Sequence, residues 1–344
     1  MSNAPRRAGP SSGFDFAPFV RSDDVVAWLP GTGEPFGLTQ RLVAQRHALP
    51  PLELFFGISA SKTLKPEYTD RFKFRALNGA GTNRTLTAAA MFSMVAPAYA
   101  QKYGVPMEQL KRTLARIASK NHANGARNPR AQFRREMSVD QICAMPSVAG
   151  DLSVFDCAGV ADGAAAAIVV RAEDAHRYTD KPIYVKALSF VAGNGSGLTD
   201  PEYDYTTFPE IVECARDAYQ QAGVTDPRAQ LAMAEVHDCF TPTELVLMED
   251  LGFSERGMGW KDVLDGTFDL DGELPVNPDG GLKSFGHPIG ASGLRMLFEC
   301  WTQLRGEAGA RQISSVAAGK TKALTHNLGG YPGEMVSFVS ILGR

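Results

Sequence analysis

After residue 84, apolar positions fall into helix-period and strand-length segments that largely alternate. Leu86 to Tyr103 is rich in Ala, Met and Phe and stops at Gly104, which predicts a helix. Pro106 to Asn121 opens with proline near the first helical position and an acidic first turn, and sets Leu110, Leu114 and Ile117 on one face. A short helix is predicted over Met137 to Met145. Ala164 to Val170 is apolar on both faces, the pattern of a central strand. Ile183 to Val191 and Leu231 to Val236 read as strands, with a helix from Phe208 to Ala222 between them, closed by Gly223. Thr241 as N-cap, Pro242 at N1 and Glu244 at N3 predict a capping box for a helix ending at Leu251 and Gly252. Trp260 to Gly272 reads as an irregular acidic excursion. A helix beginning near Gly290 carries Leu294, Leu297, Phe298, Trp301 and Leu304 as a core-facing stripe. Strands are then predicted at Ile313 to Ala318, Lys322 to Asn327 and Glu334 to Leu342. The sequence of elements predicts a layered α/β domain.

The N-terminal part lacks this regularity. Residues 1–52 are dense in proline and glycine, predicting an irregular arm with one helical piece, Leu38 to His47. Leu52 to Ile58 reads as a short strand, and Lys62 to Asn83 as polar and turn-rich. Gly79-Ala-Gly81 does not make a dinucleotide loop, because Arg84 occupies the third glycine position and no clear strand leads in. Gly193-Asn-Gly-Ser-Gly197 fails the same spacing.

Composition narrows the function classes. A net charge of −3 on 344 residues gives no electrostatic case for nucleic acid, and there is no RNA-binding signature. No stretch is apolar for eighteen residues, so no membrane span is expected, and Met1 to Val20 lacks the apolar run of a signal peptide. Cys143, Cys157, Cys214, Cys239 and Cys300 are odd in number and widely spaced. They are expected as free thiols in a reducing cytoplasm, with no metal site.

In α/β sheets, sites collect where strands end and helices begin. Three such places are chemically loaded: His237-Asp-Cys239, Gly286-His-Pro288, and His326-Asn-Leu-Gly-Gly330. Histidine and cysteine can act as acid and base around a carbonyl, and histidine can donate hydrogen bonds to an enolate oxygen. Lys120 to Phe133 is dense in side-chain donors. Its residues permit a polar loop near a phosphate-bearing substrate, and more readily a solvated loop in which Asn and Gly make turns.

Val236-His-Asp-Cys-Phe240, followed by Thr-Pro-Thr-Glu244, resembles the His-Asp-Cys-Phe motif of the sterol-carrier-protein type of thiolase. Asn277-Pro-Asp-Gly-Gly281 and Gly286-His-Pro-Ile-Gly-Ala-Ser-Gly293 resemble the glycine-histidine-proline block of thiolases at large. Lys120 to Phe133 and Asp156 to Ala167 resemble loop-domain segments of the same subgroup, so the likeness covers residues 84–344. It implies the thiolase fold, two similar halves in α-β-α-β-α layers, with a coenzyme A thioester as substrate and no bound cofactor. The implied division is an arm over 1–52, a remnant of the N-terminal half over 53–180 with its loop domain at 62–160, and a C-terminal domain over 181–344. By the same likeness, His287 activates a nucleophilic thiol and helps bind a thioester oxygen, His237 contributes to an oxyanion hole, and Cys239 is the acid/base at the α-carbon. Asn277, Gly286, Ser292 and Asn327 are the substrate-binding candidates. The partners implied are acyl-CoA and either a second copy in a homodimer or a small zinc-ribbon/OB-fold protein.

One part of the family pattern is missing. The nucleophilic cysteine should precede the loop domain, yet the first cysteine is Cys143. The N-terminal half is thus expected to be incomplete, too short for a matching β-α-β-α-β sequence when one crossover unit takes ~30 residues. Three readings are open: a truncated or frame-shifted product impaired alone; a shortened relative serving as a non-catalytic acyl-CoA-binding subunit or a retro-aldolase; or a substitute nucleophile at Ser59 or Ser61.

Overall fold

The computed structural model describes residues 13–22, 24–27, 35–56, 63–76 and 88–344. Ser59, Ser61 and the Gly79–Gly81 stretch lie outside the described residues. The chain divides into two units, one comprising Met1–Arg84 with Pro288–Gly290 and the other Thr85–His287 with Ala291–Arg344.

The first unit holds more order than its proline-rich sequence predicts. Strand β1 (Val25–Ala27), helix α1 (Phe36–Gln45) and strand β2 (Leu52–Phe56) form a parallel crossover, and β3 (Phe72–Ala76) extends the sheet in the order β1-β2-β3. Leu42, Val43, Leu49, Leu52, Leu54 and Phe72 make its small core. The residues expected as an irregular arm therefore supply one strand and one helix of an α/β layer. β1 was illegible because three residues are too few to show a period.

The second unit begins with helices. The single helix expected from Leu86 to Tyr103 is two, α2 (Ala88–Phe92) and α3 (Val95–Tyr103), the latter ending in left-handed Gly104. Helix α4 (Met107–Ala126) buries Leu110, Leu114 and Ile117 and continues five residues beyond the expected end at Asn121. The supposed solvated loop is thus partly helix, and Asn121, His122, Asn124 and Asn128 are buried. Helix α5 (Val139–Cys143) starts at a true capping box between Ser138 and Gln141. A two-stranded ribbon, β4 (Ser147–Ala149) with β5 (Leu152–Ser153), follows.

Ala164 to Val170 forms no strand. Ile168 and Val169 are 90% and 83% exposed, and no strand among the described residues pairs with them. An apolar run reads as a strand only if another backbone completes its ladder, which local sequence does not report.

A four-stranded sheet organises the rest, in the order β6 (Tyr184–Ala192), β9 (Glu334–Gly343), β8 (Lys322–Tyr331), β7 (Leu231–Glu235). β7 and β8 are parallel and the other pairs antiparallel. Helix α6 (Pro209–Ala222) packs on β6 and β9, and a short turn of helix, α7 (Pro227–Gln230), leads into β7. After β7 come α8 (Thr241–Asp250), α9 (Gly259–Leu264), α10 (Gly281–Phe285), α11 (Ser292–Leu304) and α12 (Ser314–Ala317). The strand expected at Ile313 to Ala318 is α12. Every residue of α8 is buried, and its predicted cap is absent: Thr241 Oγ1 instead donates to Asp156 Oδ1.

Helix α11 departs from its predicted stripe. Leu304 is buried, but Leu294, Phe298 and Trp301 are 36–40% exposed. The buried face carries Arg295 and Glu299. Arg295 meets Asp279 and, at 3.6 Å, Glu235; Arg311 meets Glu299 at 2.6 Å. Charges can be buried only where partners wait, and those partners come from β7, the 277–281 turn and Arg311. No helix among the described residues is long and apolar enough to cross a membrane.

Candidate active site

The site forms in the second unit, where the end of β7 and the middle of β8 flank the residues before α11. β7 is entirely buried and runs directly into His237, Asp238 and Cys239. Ala234 N–H donates to the Pro275 carbonyl at 3.0 Å and Asn277 N–H to the Ala234 carbonyl at 2.9 Å, so the segment that leads to His287 starts alongside β7 as a parallel bridge at Val276. Asn277 adopts φ +54°, a left-handed turn that asparagine tolerates better than most residues. Its side chain is fully used: Oδ1 accepts Val236 N–H at 2.8 Å and Nδ2 donates to Glu244 at 3.0 Å. The geometry gives Asn277 a clasp between the end of β7 and α8.

His287 and His237 come together. Their ring centroids are 5.1 Å apart and the planes lie at 88°, an edge-on pair. Ser292, at the first turn of α11, sets its hydroxyl 2.8 Å from His287 Nδ1 and so orients the imidazole. Gly286 holds φ +104°, and a Cβ there would stand 2.6 Å from Gln132 Oε1, so only glycine lets the chain turn into His287. The Asn327 side chain lies beside His237 and against Gly293. Cys239 is 8% exposed, with Sγ 3.8 Å from Thr243 Oγ1. His326 is wholly buried with neither ring nitrogen bonded to another described residue.

Burial sets the protonation states. It holds His287 down to about 4. It also pushes His237 well below the ordinary range, helped by the neighbouring His287 and His326. Both rings are therefore neutral at pH 7 and can each donate one N–H. Burial pushes the Cys239 thiol up to about 12, with Thr243 and Lys283 pulling the other way. Cys239 is thus a thiol near neutrality, equipped to give a proton rather than to attack as a thiolate.

A strap that sequence reading did not single out as part of the site joins these pieces. Ala158 N–H donates to the Cys239 carbonyl at 2.8 Å, and His287 N–H to the Gly159 carbonyl at 3.0 Å. Lys283, itself buried, donates from Nζ to the Asp156 carbonyl at 2.6 Å. The end of α4 braces the other side: Lys120 pairs with Glu244 at 2.7 Å, and Asn124 and Asn128 donate to the carbonyls of Asn277 and Asp279 at 3.0 and 2.9 Å. A lysine and asparagines at helical spacing against a glycine-rich turn were the available signal; hydrophobic periodicity ignores them. No group of three or more metal-ligating side chains occurs among the described residues.

Residues 198–344 match the family described as thiolase C-terminal domain-like. An acetyl-CoA acetyltransferase of Methanothermobacter thermautotrophicus is 41% identical over 248 residues, spanning 72% of this chain and 62% of that protein. Human sterol carrier protein 2 is 35% identical over 265 residues, 76% of this chain and 46% of that protein. The solved structure titled Ltp2-ChsH2(DUF35) aldolase superposes with a TM-score of 0.64 at 20% identity, covering 94% of this chain and 87% of that one. The fold is that of the thiolases, and the chain belongs to the thiolase superfamily. The chain spans about half to three-fifths of the length of these two sequence relatives.

Proposed function

We propose that the site forms and protonates an enolate at the α-carbon of a coenzyme A thioester, within a thiolase-type acyl transfer on 3-oxoacyl-CoA. The observation that carries the reading is the convergence of His237, His287 and Cys239, two neutral imidazoles and one protonated thiol bound together by the 156–160 strap. In thiolysis the C2–C3 bond breaks and its electron pair moves to C2 and the thioester oxygen. N–H groups from His237 and His287 stabilise that oxygen, and Cys239 S–H delivers the proton to C2. The bond breaks as the thiol sulfur of a second coenzyme A adds to C3, so the acyl group leaves as that coenzyme's thioester, and the proton this thiol loses restores Cys239 S–H. Ser292 and Asn327 serve by orienting the two histidines, and Gly286 by letting the substrate approach.

A second reading uses the same residues. In retro-aldol cleavage of a 3-hydroxyacyl-CoA, a base takes the C3 hydroxyl proton, C2–C3 breaks to leave a carbonyl product, and the same enolate is protonated. It is favoured by the absence of cysteine from residues 1–142 and by the likeness in fold to a protein titled an aldolase, since no acyl-enzyme is needed. Either a homodimer or a complex with a small zinc-ribbon/OB-fold protein, in the cytoplasm, accompanies either reading.

Incubation with a 3-oxoacyl-CoA plus coenzyme A, and separately with a 3-hydroxyacyl-CoA, with product thioesters followed by mass spectrometry, separates the two. Thiolysis is expected from the first substrate. A carbonyl product from the second alone establishes the aldolase reading, and no cleavage of either removes both.

A further inference from the structure

Asp238 stands between His237 and Cys239, and it is fully buried. Its Oδ1 accepts Leu282 N–H at 2.6 Å, while Oδ2 accepts Asn121 Nδ2 at 2.9 Å and Lys283 N–H at 3.3 Å. Leu282 and Lys283 begin α10, and α10 ends two residues before His287. One carboxylate thereby ties the peptide carrying His237 and Cys239 to the element that presents His287. Gly281 fits the contact, since it holds φ +62° and a Cβ on it would overlap the Asp238 carboxylate. Asn121 Nδ2 also donates to Glu244 Oε2 at 2.7 Å, and Glu244 is held by Lys120 and Asn277, so α4 closes the frame from a third side.

We propose that Asp238 is a positioning residue that sets the separation of His237 and His287. This rests on the reading above, in which both histidines act on one thioester. Its carboxylate reaches no reacting atom; it acts through the two loops it joins. The fit is specific to a carboxylate, because three donors from two elements converge on it. In Asp238→Asn, one oxygen still accepts Leu282 N–H, but the amide nitrogen opposes Asn121 Nδ2 and Lys283 N–H, donor against donor. The remaining clasps on Asn277 and Glu244 stay in place. The loop pair therefore loosens while the fold persists, and misplacement on the order of 1 Å costs about a hundredfold in rate.

The test compares the intact wild-type chain with Asp238→Asn and the milder Asn121→Ala, which withdraws the third donor to Asp238 together with its bond to Glu244, leaves Glu244 its Lys120 and Asn277 partners, and serves if Asp238→Asn does not fold. Two readouts are taken: kcat and KM for solvent-deuterium exchange at C2 of an acyl-CoA, and the ring resonances of the histidines by NMR. Expected in Asp238→Asn are a kcat lowered about a hundredfold, a KM little changed, and shifted His237 and His287 rings with His47 and His176 unmoved. Asn121→Ala should move both readouts the same way by a smaller step. Wild-type kcat with unmoved rings overturns the proposal, as does loss of KM, kcat and folded signal together. If the wild-type chain exchanges nothing, the functional reading fails and the histidine resonances alone decide the positioning role.

Discussion

His237 stands edge-on to His287, ring centroids 5.1 Å apart, although fifty residues separate them in the chain. His237 follows directly on buried β7, and His287 is held by Ser292 and the Gly159 carbonyl. The pair exists because Val276, just before the Asn277 turn, bridges to Ala234 of β7, and α10 is fixed to Asp238 at the end of that strand.

His287→Ala and His237→Ala are each expected to lower thioester α-carbon exchange by ~10²–10⁴-fold, the range for removing a positioned proton-transfer or oxyanion group. Folding is expected to survive both. Steady-state exchange rates with a thermal melt of each variant check this.

The pH profile follows from burial. Because His287 titrates near 4 in the folded chain, it stays neutral throughout pH 5.5–8; because Cys239 titrates near 12, it stays a thiol over the same range. Exchange starts with the reverse of proton delivery to C2, abstraction of the C2 proton by the small thiolate fraction of Cys239, so its rate is expected to rise steadily with pH across that window with no histidine inflection. An acid limb near pH 6.5, the ordinary histidine value, would show that His287 carries charge when the chain is folded. Alkylation of Cys239 by iodoacetamide should correspondingly stay slow until well above pH 9.

His326 gives a stability prediction with a definite sign. Burial holds it at about 3, below its unfolded value of about 6.5. Between those values the unfolded state binds the proton and the folded state does not, so stability falls as pH drops below about 6.5. His326→Leu removes that term. Relative to the wild type it should gain about 1.4 kcal/mol for each pH unit between about 6 and 4. Urea unfolding of both proteins at pH 7 and pH 5 measures the difference.

The buried charges under the site predict a larger loss. Arg295→Met leaves Glu235 and Asp279 inside the protein without their cation and should cost about 3–5 kcal/mol. Adding Glu235→Gln should return part of it. Chemical denaturation of the single and double variants tests the coupling.

Much of the C-terminal architecture was legible, because β6, α6, β7 and α8 each declare their period and their stop signals locally. The loaded places at His237–Cys239 and Gly286–Pro288 were legible too, as chemistry out of place in apolar surroundings, whereas His326–Gly330, expected after a strand, lies inside β8 because β9 continues its ladder to Tyr331. What was hidden depends on distant partners. Phe298 and Trp301 fit a core stripe by spacing, yet α11 turns Arg295 and Glu299 inward because Asp279, Glu235 and Arg311 are there to meet them. Glu244 looked like half of a capping box, and it is instead bonded by Lys120, Asn121 and Asn277. Ala164 to Val170 had a strand's composition without a strand beside it. Asp238 sat in plain view between two candidate catalytic residues, and only the folded turn at Gly281 shows what its carboxylate holds.

The central claim is that His237, His287 and Cys239 form one enolate-protonating site for a coenzyme A thioester. Incubating the purified chain with acetyl-CoA in deuterium oxide and following the methyl group by mass spectrometry tests it most directly, since both proposed cleavages share that step. Deuterium is predicted to enter with the wild-type chain and to be lost with His287→Ala and with Cys239→Ala. Bound acetyl-CoA that gains no deuterium, or incorporation untouched by both substitutions, would contradict the account.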